Sequence, residues 1–325
     1  MNDPTPLDRL TTAYHDASVG QVVLPRPAPD AIVMSGSTRL AFLQRMSTND
    51  FSRLDPGRFR WTVLTTPVAR IVDWVQVLAR ANDLLLLTSP GRGAAVLEWL
   101  RRYVLFGDEL ALDLESAPHQ AWLALGPSAA TIATAIAPGS EGLASDAWLE
   151  AGEIRCWRVD RPGAGGWSIL APSPGPPVLT GGSLLQPIAD SLYEILRIEA
   201  GIASPGSEIT DERIPLEVGL SASISLTKGC YIGQEIIARM ASRDRMARRL
   251  IGLQLTGPAV PGAELHQQGA VVGQLTSRAC SPRLGWIGLG LVRPAALEAR
   301  PATVAVGPSS GPALLVELPF PLAQA

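Results

Sequence analysis

Apolar and polar positions change period several times along the chain. AIVMSG (31–36) reads as a strand and turn, and SGSTRLAFLQRMSTND then sets Leu40, Phe42, Leu43 and Met46 at helical spacing, with Ser37 as a candidate cap. WTVLTT (61–66) and IVDWVQVL (71–78) alternate, which predicts half-buried antiparallel strands, and Leu84–Thr88 predicts a third strand. Helical spacing returns over Gly93–Val104 through Val96, Leu97, Leu100 and Val104. Strand character resumes over 108–125, and GPSAATIATAI (126–136) predicts a helix with Pro127 near its first position. EIRCWRVDR and GGWSILAP predict two strands between Gly-, Pro- and Ser-rich stretches at 138–146 and 172–183, which predict loops or domain joints. ADSLYEILRIEAG (189–201) is an amphipathic helix that stops at Gly201. From about residue 248 the chain becomes short strands divided by Gly and Pro (RLIGLQL, GAVVGQLTS, WIGLGLV, ATVAV, ALLVEL), the pattern of a small β-barrel or sandwich. Residues 1–20 read as a loosely attached lead-in with one short helix.

Composition narrows the function classes. The 325 residues are 46% apolar and 18% charged, enough for packed cores in one large or two to three small domains. A formal net charge of −3 gives no general pull on nucleic acid or anionic membranes, and RDRMARR (243–249) reads as a solvated helix end, so nucleic acid is not an expected partner. Three widely spaced cysteines, Cys156, Cys230 and Cys280, argue against a disulfide framework and against a self-contained zinc or iron–sulfur site. His15, His119 and His266 have no ligand spacing, so no metal site is expected. SPGRGAAV (89–96) lacks the lysine of a phosphate-binding loop. No basic segment leads into an apolar run at the N-terminus, and the longest apolar runs are too short to span a bilayer. The expected setting is the cytoplasm, away from membranes.

Candidate chemistry gathers in SLTKGCYIGQEIIARM (225–240), which holds Lys228, the one lysine among 27 basic residues. Alternation over Ser221–Leu226 predicts a strand, KGC a turn, and Ile232, Ile236, Ile237 and Met240 one face of a helix. Cys230 is thereby expected at or near a helix N-terminus, where the dipole and the Lys228 ammonium both favour thiolate. Gly229 and Gly233 permit close backbone approach and unusual dihedrals, Gln234 and Glu235 can bond first-turn N–H groups, and Tyr231 adds an aromatic face. A compact ammonium can approach a thiolate or shuttle a proton where a guanidinium cannot. The alternative is that Cys230 is a small buried hydrophobe. Cys156 reads as structural, and Cys280 as lying in the SPRLG turn region.

KGCYIGQE (228–235) resembles the signature of the YgfZ family, folate-binding relatives of the glycine-cleavage aminomethyltransferase (T-protein) and of mitochondrial iron–sulfur assembly factors. RIEAG (197–201), PLEVGL (215–220), FLQRMSTNDF (42–51) and TSRACSPRLGWIGLGLV (276–292) resemble further shared elements, so the similarity runs from about residue 30 onward. The resemblance implies an α+β fold: a three-domain T-protein-like ring around a folate pocket, with a small C-terminal β-barrel. It implies a discontinuous folate-binding domain over 1–120 and 184–247, an inserted α+β domain over 121–183, and a barrel over 248–325. Tetrahydrofolate or a derivative is the implied cofactor. Iron–sulfur proteins or their assembly machinery are the implied partners, with a link to tRNA modification. Carried over by position, Cys230 and Lys228 are the functional pair. Tyr193 matches an aromatic residue set against folate, Glu199 a carboxylate that bonds the pterin, and Arg248 a cation for the glutamate tail.

Two departures separate the chain from the aminomethyltransferase. The T-protein carries two consecutive aspartates in the strand matched by ARIVDWVQV (69–77); Asp73 matches the first, and Trp74 replaces the catalytic second. The Gly-Tyr-Thr-Gly element becomes GAGG at 163–166. Asp73 is then expected to be a satisfied structural carboxylate, and aminomethyl transfer to be lost. The alternatives are a true tetrahydrofolate-dependent aminomethyltransferase and a non-catalytic interaction scaffold.

Overall fold

The computed structural model describes residues 5–115, 119–159, 165–173, 175–176, 179, 186–243, 246–298, 301–307 and 310–321. It divides into two compact units, one of residues 15–186 and 222–236, the other of residues 1–14, 187–221 and 237–325.

In the first of these units the alternating stretches pair as expected. Strands β1 (Val22–Arg26), β2 (Ala31–Ser35), β3 (Phe59–Thr65), β4 (Ile71–Ala79), β5 (Asp83–Leu87) and β6 (Ala111–Leu114) are followed by β7 (His119–Leu125), β8 (Trp148–Ala151), β9 (Ile154–Val159) and β10 (Gly166–Pro172). They form two antiparallel sheets, ordered β3-β4-β5-β2-β6 and β1-β7-β10-β9-β8. Helices α2 (Arg39–Met46) and α3 (Gly93–Arg101) cover one face of the first sheet, where Phe42, Leu43, Met46, Val96 and Leu100 bury against Ile32, Met34, Val75 and Val77. Its other face meets the second sheet through Phe59, Leu78, Leu85, Trp148, Trp157 and Leu170. Helix α4 (Ala129–Ile136) closes the far side through Ile132 and Ala133. Each fully buried aliphatic or aromatic side chain in these layers contributes about 1.5–3 kcal/mol relative to exposure.

Helix boundaries differ from expectation in three places. Ser37 does not cap α2: its hydroxyl donates to Glu109 Oε2 at 2.6 Å, and Thr38 occupies the cap position without a side-chain cap bond. Helix α3 ends at Arg101, so Val104 lies beyond it, in an exposed loop. Pro127 precedes the cap residue Ser128 and stands outside α4. The loop expected at 172–183 and the GAGG element lie partly outside the described residues.

The other unit is built on the C-terminal strands β11 (Arg249–Leu255), β12 (Glu264–Gln267), β13 (Ala270–Ser281), β14 (Gly285–Val292), β15 (Thr303–Val306) and β16 (Ser310–Val316). They close into a barrel ordered β11-β14-β13-β12-β15-β16, filled by Ile251, Leu253, Leu265, Leu275, Val292, Val304 and Leu315. Helix α1 (Pro6–Val19) contributes residues up to Tyr14, and the expected amphipathic helix appears as α5 (Gln186–Glu199). Gly201 follows α5 with φ +70°, and a Cβ there would stand 2.8 Å from Leu318 Cβ, so only glycine turns the chain at this point. The fold is α+β with a closed C-terminal barrel.

Candidate functional site

The segment around the lone lysine does not form the expected strand, turn and helix. Ser221–Ser223 is a single 3-10 turn, residues 224–233 are irregular, and α6 (Gln234–Arg243) starts only at Gln234. Alternation loses to side-chain bonding. Thr48 Oγ1 donates to the Ser223 carbonyl at 2.7 Å, Ser225 N–H donates to the Thr48 carbonyl at 2.9 Å, and no ladder continues from there. Ile232 lies outside α6 and packs on the α2/α3 core instead. Its N–H donates to the Arg45 carbonyl at 3.1 Å, and its carbonyl accepts from Thr65 Oγ1 at 2.7 Å. Cys230 is therefore four residues ahead of the helix, beyond the first turn in which the dipole acts. The helix-terminus argument for its activation does not hold.

Lys228 is 7% exposed. Its ammonium donates to the Ser47 carbonyl at 2.7 Å and to the Asn49 carbonyl, and it lies 5.1 Å from the centre of the Tyr231 ring. Burial pulls the amine down to about 8, against the smaller opposing pull of Asp50. Among the described residues no hydrogen bond joins Lys228 to the Cys230 sulfur. The lysine is a peg that fastens the segment to the turn after α2. Two residues on, Cys230 and Gly229 are exposed, which excludes the buried-hydrophobe reading of the thiol. Tyr231 is buried, and burial pushes its phenol up to about 12.

The two glycines of the segment differ. Gly233 has φ +84°, and a Cβ there would sit 2.8 Å from the Thr66 carbonyl oxygen and 2.9 Å from Thr65 Oγ1. Gly229 has neither a positive φ nor a close neighbour, so its backbone does not require glycine. Gln234 opens α6 with its N–H donating to the Tyr231 carbonyl at 3.2 Å, and Glu235 is exposed in the first turn, where a carboxylate favours the helix N-terminus.

The hairpin of β3 and β4 carries the aromatic departure. Trp74 stacks on Trp61 with ring centres 4.2 Å apart and planes at 28°, and its indole N–H donates to Ser223 Oγ at 2.9 Å. Asp73 is buried and accepts from Ser89 Oγ (2.6 Å), Ser89 N–H (2.9 Å) and Trp74 N–H (2.9 Å). Desolvation raises its carboxyl, and these three donors oppose that rise. It is the satisfied structural carboxylate expected.

The residues matched to folate contacts lie in the barrel unit. Tyr193 is half-buried on α5, and Arg248 is exposed just ahead of β11. Glu199 ends α5, with its carboxylate already engaged: Tyr14 Oη donates to both oxygens at 3.0 Å, Arg283 Nη2 donates at 3.2 Å, and Ser281 Oγ donates as well. Sequence reasoning missed this clamp because Tyr14, Ser281 and Arg283 sit far from Glu199 along the chain. It also missed a buried ion pair. Arg197 Nη1 meets Glu208 Oε2 at 3.2 Å with both side chains essentially inaccessible, and a bulge in β13 turns Thr276 and Ser277 onto Glu208 Oε1, each at 2.6 Å.

The remaining cysteines divide. Cys156 is buried in β9, where desolvation pushes its thiol up to about 11. Cys280 is exposed but stands in β13 opposite Trp286, not in a turn. Among the described residues no group of three His, Cys, Asp or Glu side chains could hold a metal ion. A cleft of about 370 Å³ lined by Ala28, Pro29, Asp30, Leu114, Glu115 and His119 contains neither Lys228 nor Cys230. Among the described residues no helix is long and apolar enough to cross a membrane.

Residues 248–320 match the glycine cleavage T-protein C-terminal barrel domain. The chain is 32% identical over 289 residues to a chloroplastic protein of Arabidopsis thaliana provisionally named a transferase, which covers 84% of this chain and 66%, just under two thirds, of that protein. It is 28% identical to an aminomethyltransferase of Desulfitobacterium hafniense, over 81% of this chain and 76% of the relative. The crystal structure of the glycine cleavage system aminomethyltransferase T from Bartonella henselae superposes with a TM-score of 0.82 at 21% identity, covering 96% of this chain and 89% of that one. That likeness shows the fold.

Proposed function

Because the chain belongs to the aminomethyltransferase-like family that carries the T-protein C-terminal barrel, we propose that it is a folate-binding accessory protein for iron–sulfur proteins. It acts through Cys230 and not by aminomethyl transfer. The observation that carries this reading is Trp74. An indole stacked on Trp61 and bonded to Ser223 stands where the family's transfer chemistry calls for a carboxylate, and it cannot stabilise developing positive charge as an anion does. The neighbouring carboxylate, Asp73, is buried under three hydrogen bonds and has no freedom to substitute. What stays available in the Lys228 segment is the exposed Cys230 thiol, two residues from the buried lysine.

The donor set suits a folate in part. Tyr193 offers an aromatic face to a flat heterocycle, and exposed Arg248 offers a cation to an anionic tail. Glu199 fits less directly, since a pterin N–H would replace one of the donors it already holds from Tyr14, Arg283 and Ser281. Tyr193 and Arg248 would hold a tetrahydrofolate, which would supply one-carbon chemistry if bound. The second reading, a tetrahydrofolate-dependent aminomethyltransferase, is favoured by the name of the bacterial relative.

Titration with tetrahydrofolate, followed by tryptophan fluorescence, tests the first reading. Saturable quenching is expected in the native protein and is expected to weaken in Arg248→Ala. No binding at high micromolar ligand removes the folate claim. Cys230→Ser is expected to abolish rescue of iron–sulfur enzyme activity in a deletion strain while leaving folate binding intact. Aminomethyl transfer by the purified protein would establish the second reading instead.

A further inference from the structure

The clamp on Glu199 is asymmetric. Tyr14 Oη stands 3.0 Å from each carboxylate oxygen, midway between them, whereas Ser281 Oγ reaches only Oε1 and Arg283 Nη2 only Oε2. The two flanking donors have anchors of their own. Ser281 Oγ accepts from the Arg283 and Leu284 N–H groups at 3.1 Å each, and Arg283 Nη1 donates to the Pro321 carbonyl at 2.6 Å. These contacts hold both donors at the turn that joins β13 to β14, independently of Tyr14. Tyr14 comes from α1, 185 residues away along the chain, and brings one hydroxyl proton to share between two acceptors. Two carboxylate oxygens side by side are matched by two parallel N–H donors, as in a guanidinium fork or the edge of a heterocycle with adjacent ring N–H and amino groups. Tyr14 therefore fills with a single donor the position that suits two. Only 12% of the Glu199 side chain is exposed, so the carboxylate is closed to such an edge while Tyr14 is in place.

We infer that Tyr14 is an autoinhibitory plug: it closes the fork of Glu199 and is displaced by a planar heterocycle that brings two adjacent N–H donors. This rests on the folate reading, in which Glu199 bonds the pterin, and adds what regulates access to that carboxylate. The exchange is one donor for two. The phenol leaves, the ring N–H and the amino group each take one oxygen, and Ser281 and Arg283 keep the carboxylate aimed and its charge balanced. The sign of the effect separates a plug from a support. A donor that only orients Glu199 helps a ligand bind, so its loss weakens binding. A donor that competes for the fork hinders the ligand, so its loss tightens binding. Position puts Ser281 in the first class and Tyr14 in the second.

The test titrates tetrahydrofolate into the native chain, Tyr14→Phe and Ser281→Ala, read by tryptophan fluorescence. Tyr14→Phe is expected to bind about tenfold more tightly or better, because a hydrogen bond to a charged group no longer has to be broken. Ser281→Ala is expected to bind equally or more weakly. A second measurement uses the native chain with 3-fluorotyrosine at its four tyrosines. Fluorine NMR reads the Tyr14 resonance, assigned by elimination with Tyr103→Phe, Tyr193→Phe and Tyr231→Phe, so it does not depend on the folding of Tyr14→Phe. Saturating tetrahydrofolate is expected to move that resonance toward its position in the urea-unfolded chain. A resonance unmoved at saturation, or a Tyr14→Phe that binds no more tightly than the native chain, overturns the plug and leaves the folate reading standing. Equal tightening in Ser281→Ala also overturns it, since any loosening of the clamp would then serve. No binding by either the native chain or Tyr14→Phe at high micromolar tetrahydrofolate removes the folate reading, and the plug with it.

Discussion

Lys228→Met replaces a buried cation by an apolar chain of similar length, and two opposed terms set the outcome. The Ser47 and Asn49 carbonyls lose their donor, at about 1–3 kcal/mol each when left unsatisfied. Against that, the cost of keeping an ammonium out of water disappears. The fall of the amine from 10.5 to about 8 puts that cost at roughly 3 kcal/mol. Near pH 7 the variant is therefore expected to lie between roughly 1 kcal/mol more stable and roughly 3 kcal/mol less stable than the native protein. The pH dependence is more decisive. The folded-state value lies below the unfolded one, so between about 8 and 10.5 the unfolded chain holds the proton more tightly and stability rises with pH. The burial penalty is complete below about 8 and is relieved toward 10.5. Because Lys228 is the only lysine, no other lysine titrates in this window, and the contributions of tyrosines, thiols and the N-terminus cancel between native and variant. Urea unfolding at pH 7.5 and pH 10 measures the difference. The native protein is expected to gain up to roughly 3 kcal/mol relative to Lys228→Met on going from the lower to the higher pH. Identical pH slopes would refute a buried, proton-shedding Lys228.

Gly233→Ala is expected to cost about 2–5 kcal/mol in urea unfolding, since φ +84° penalises an L side chain and the new Cβ meets the Thr66 carbonyl and Thr65 Oγ1; an unchanged midpoint would show that the turn relaxes freely. Glu208→Gln leaves the Arg197 charge buried with only the partly exposed Glu194 beside it, and a loss of about 3 kcal/mol is expected in thermal unfolding; a stability equal to the native protein's contradicts a buried ion pair. Iodoacetamide under native conditions is expected to label Cys230 and Cys280, with Cys156 reacting only after unfolding, because it is buried and its thiol is pushed up to about 11. Mass spectrometry showing native labelling of Cys156 would contradict that assignment.

Where periodicity is the whole signal, the fold was legible. β3 and β4 keep a strand-like alternation although α2 and α3 cover one face of their sheet and the second sheet the other, because Thr62, Asp73 and Gln76 are polar residues buried within the run, and α5 keeps helical spacing up to a glycine with a left-handed backbone. Alternation misled over Ser221–Leu226, where the Thr48 hydroxyl donates to the Ser223 carbonyl and the Ser225 N–H donates to the Thr48 carbonyl in place of a strand ladder. With α6 starting at Gln234, the helix dipole is out of reach of Cys230. The Glu199 clamp had no local sign at all: its donors come from positions 14, 281 and 283. The full exposure of Phe106 was illegible because it falls between the helical spacing of Gly93–Val104 and the strand character from 108, where no periodicity assigns a face.

The lone lysine finds its explanation in acceptor count more than in thiol chemistry. The space between the end of α2 and the Tyr231 ring offers two carbonyl oxygens, from Ser47 and Asn49. An ammonium has three donors and can shed one proton; a guanidinium has five in a rigid fork and sheds none at any pH the fold survives. Arginine in this place would bury donors without partners, at about 1–3 kcal/mol each. Among the described residues arginines also meet carbonyls, as Arg92 does with Val72 and Arg101 with Leu112, but those two side chains are exposed, whereas the buried side chain that meets the Ser47 and Asn49 carbonyls is lysine. With its ammonium spent on those carbonyls, Lys228 governs where Cys230 is held. Removing the amine should therefore speed backbone hydrogen exchange over residues 224–233, and unchanged exchange there would contradict a lysine that fastens the segment.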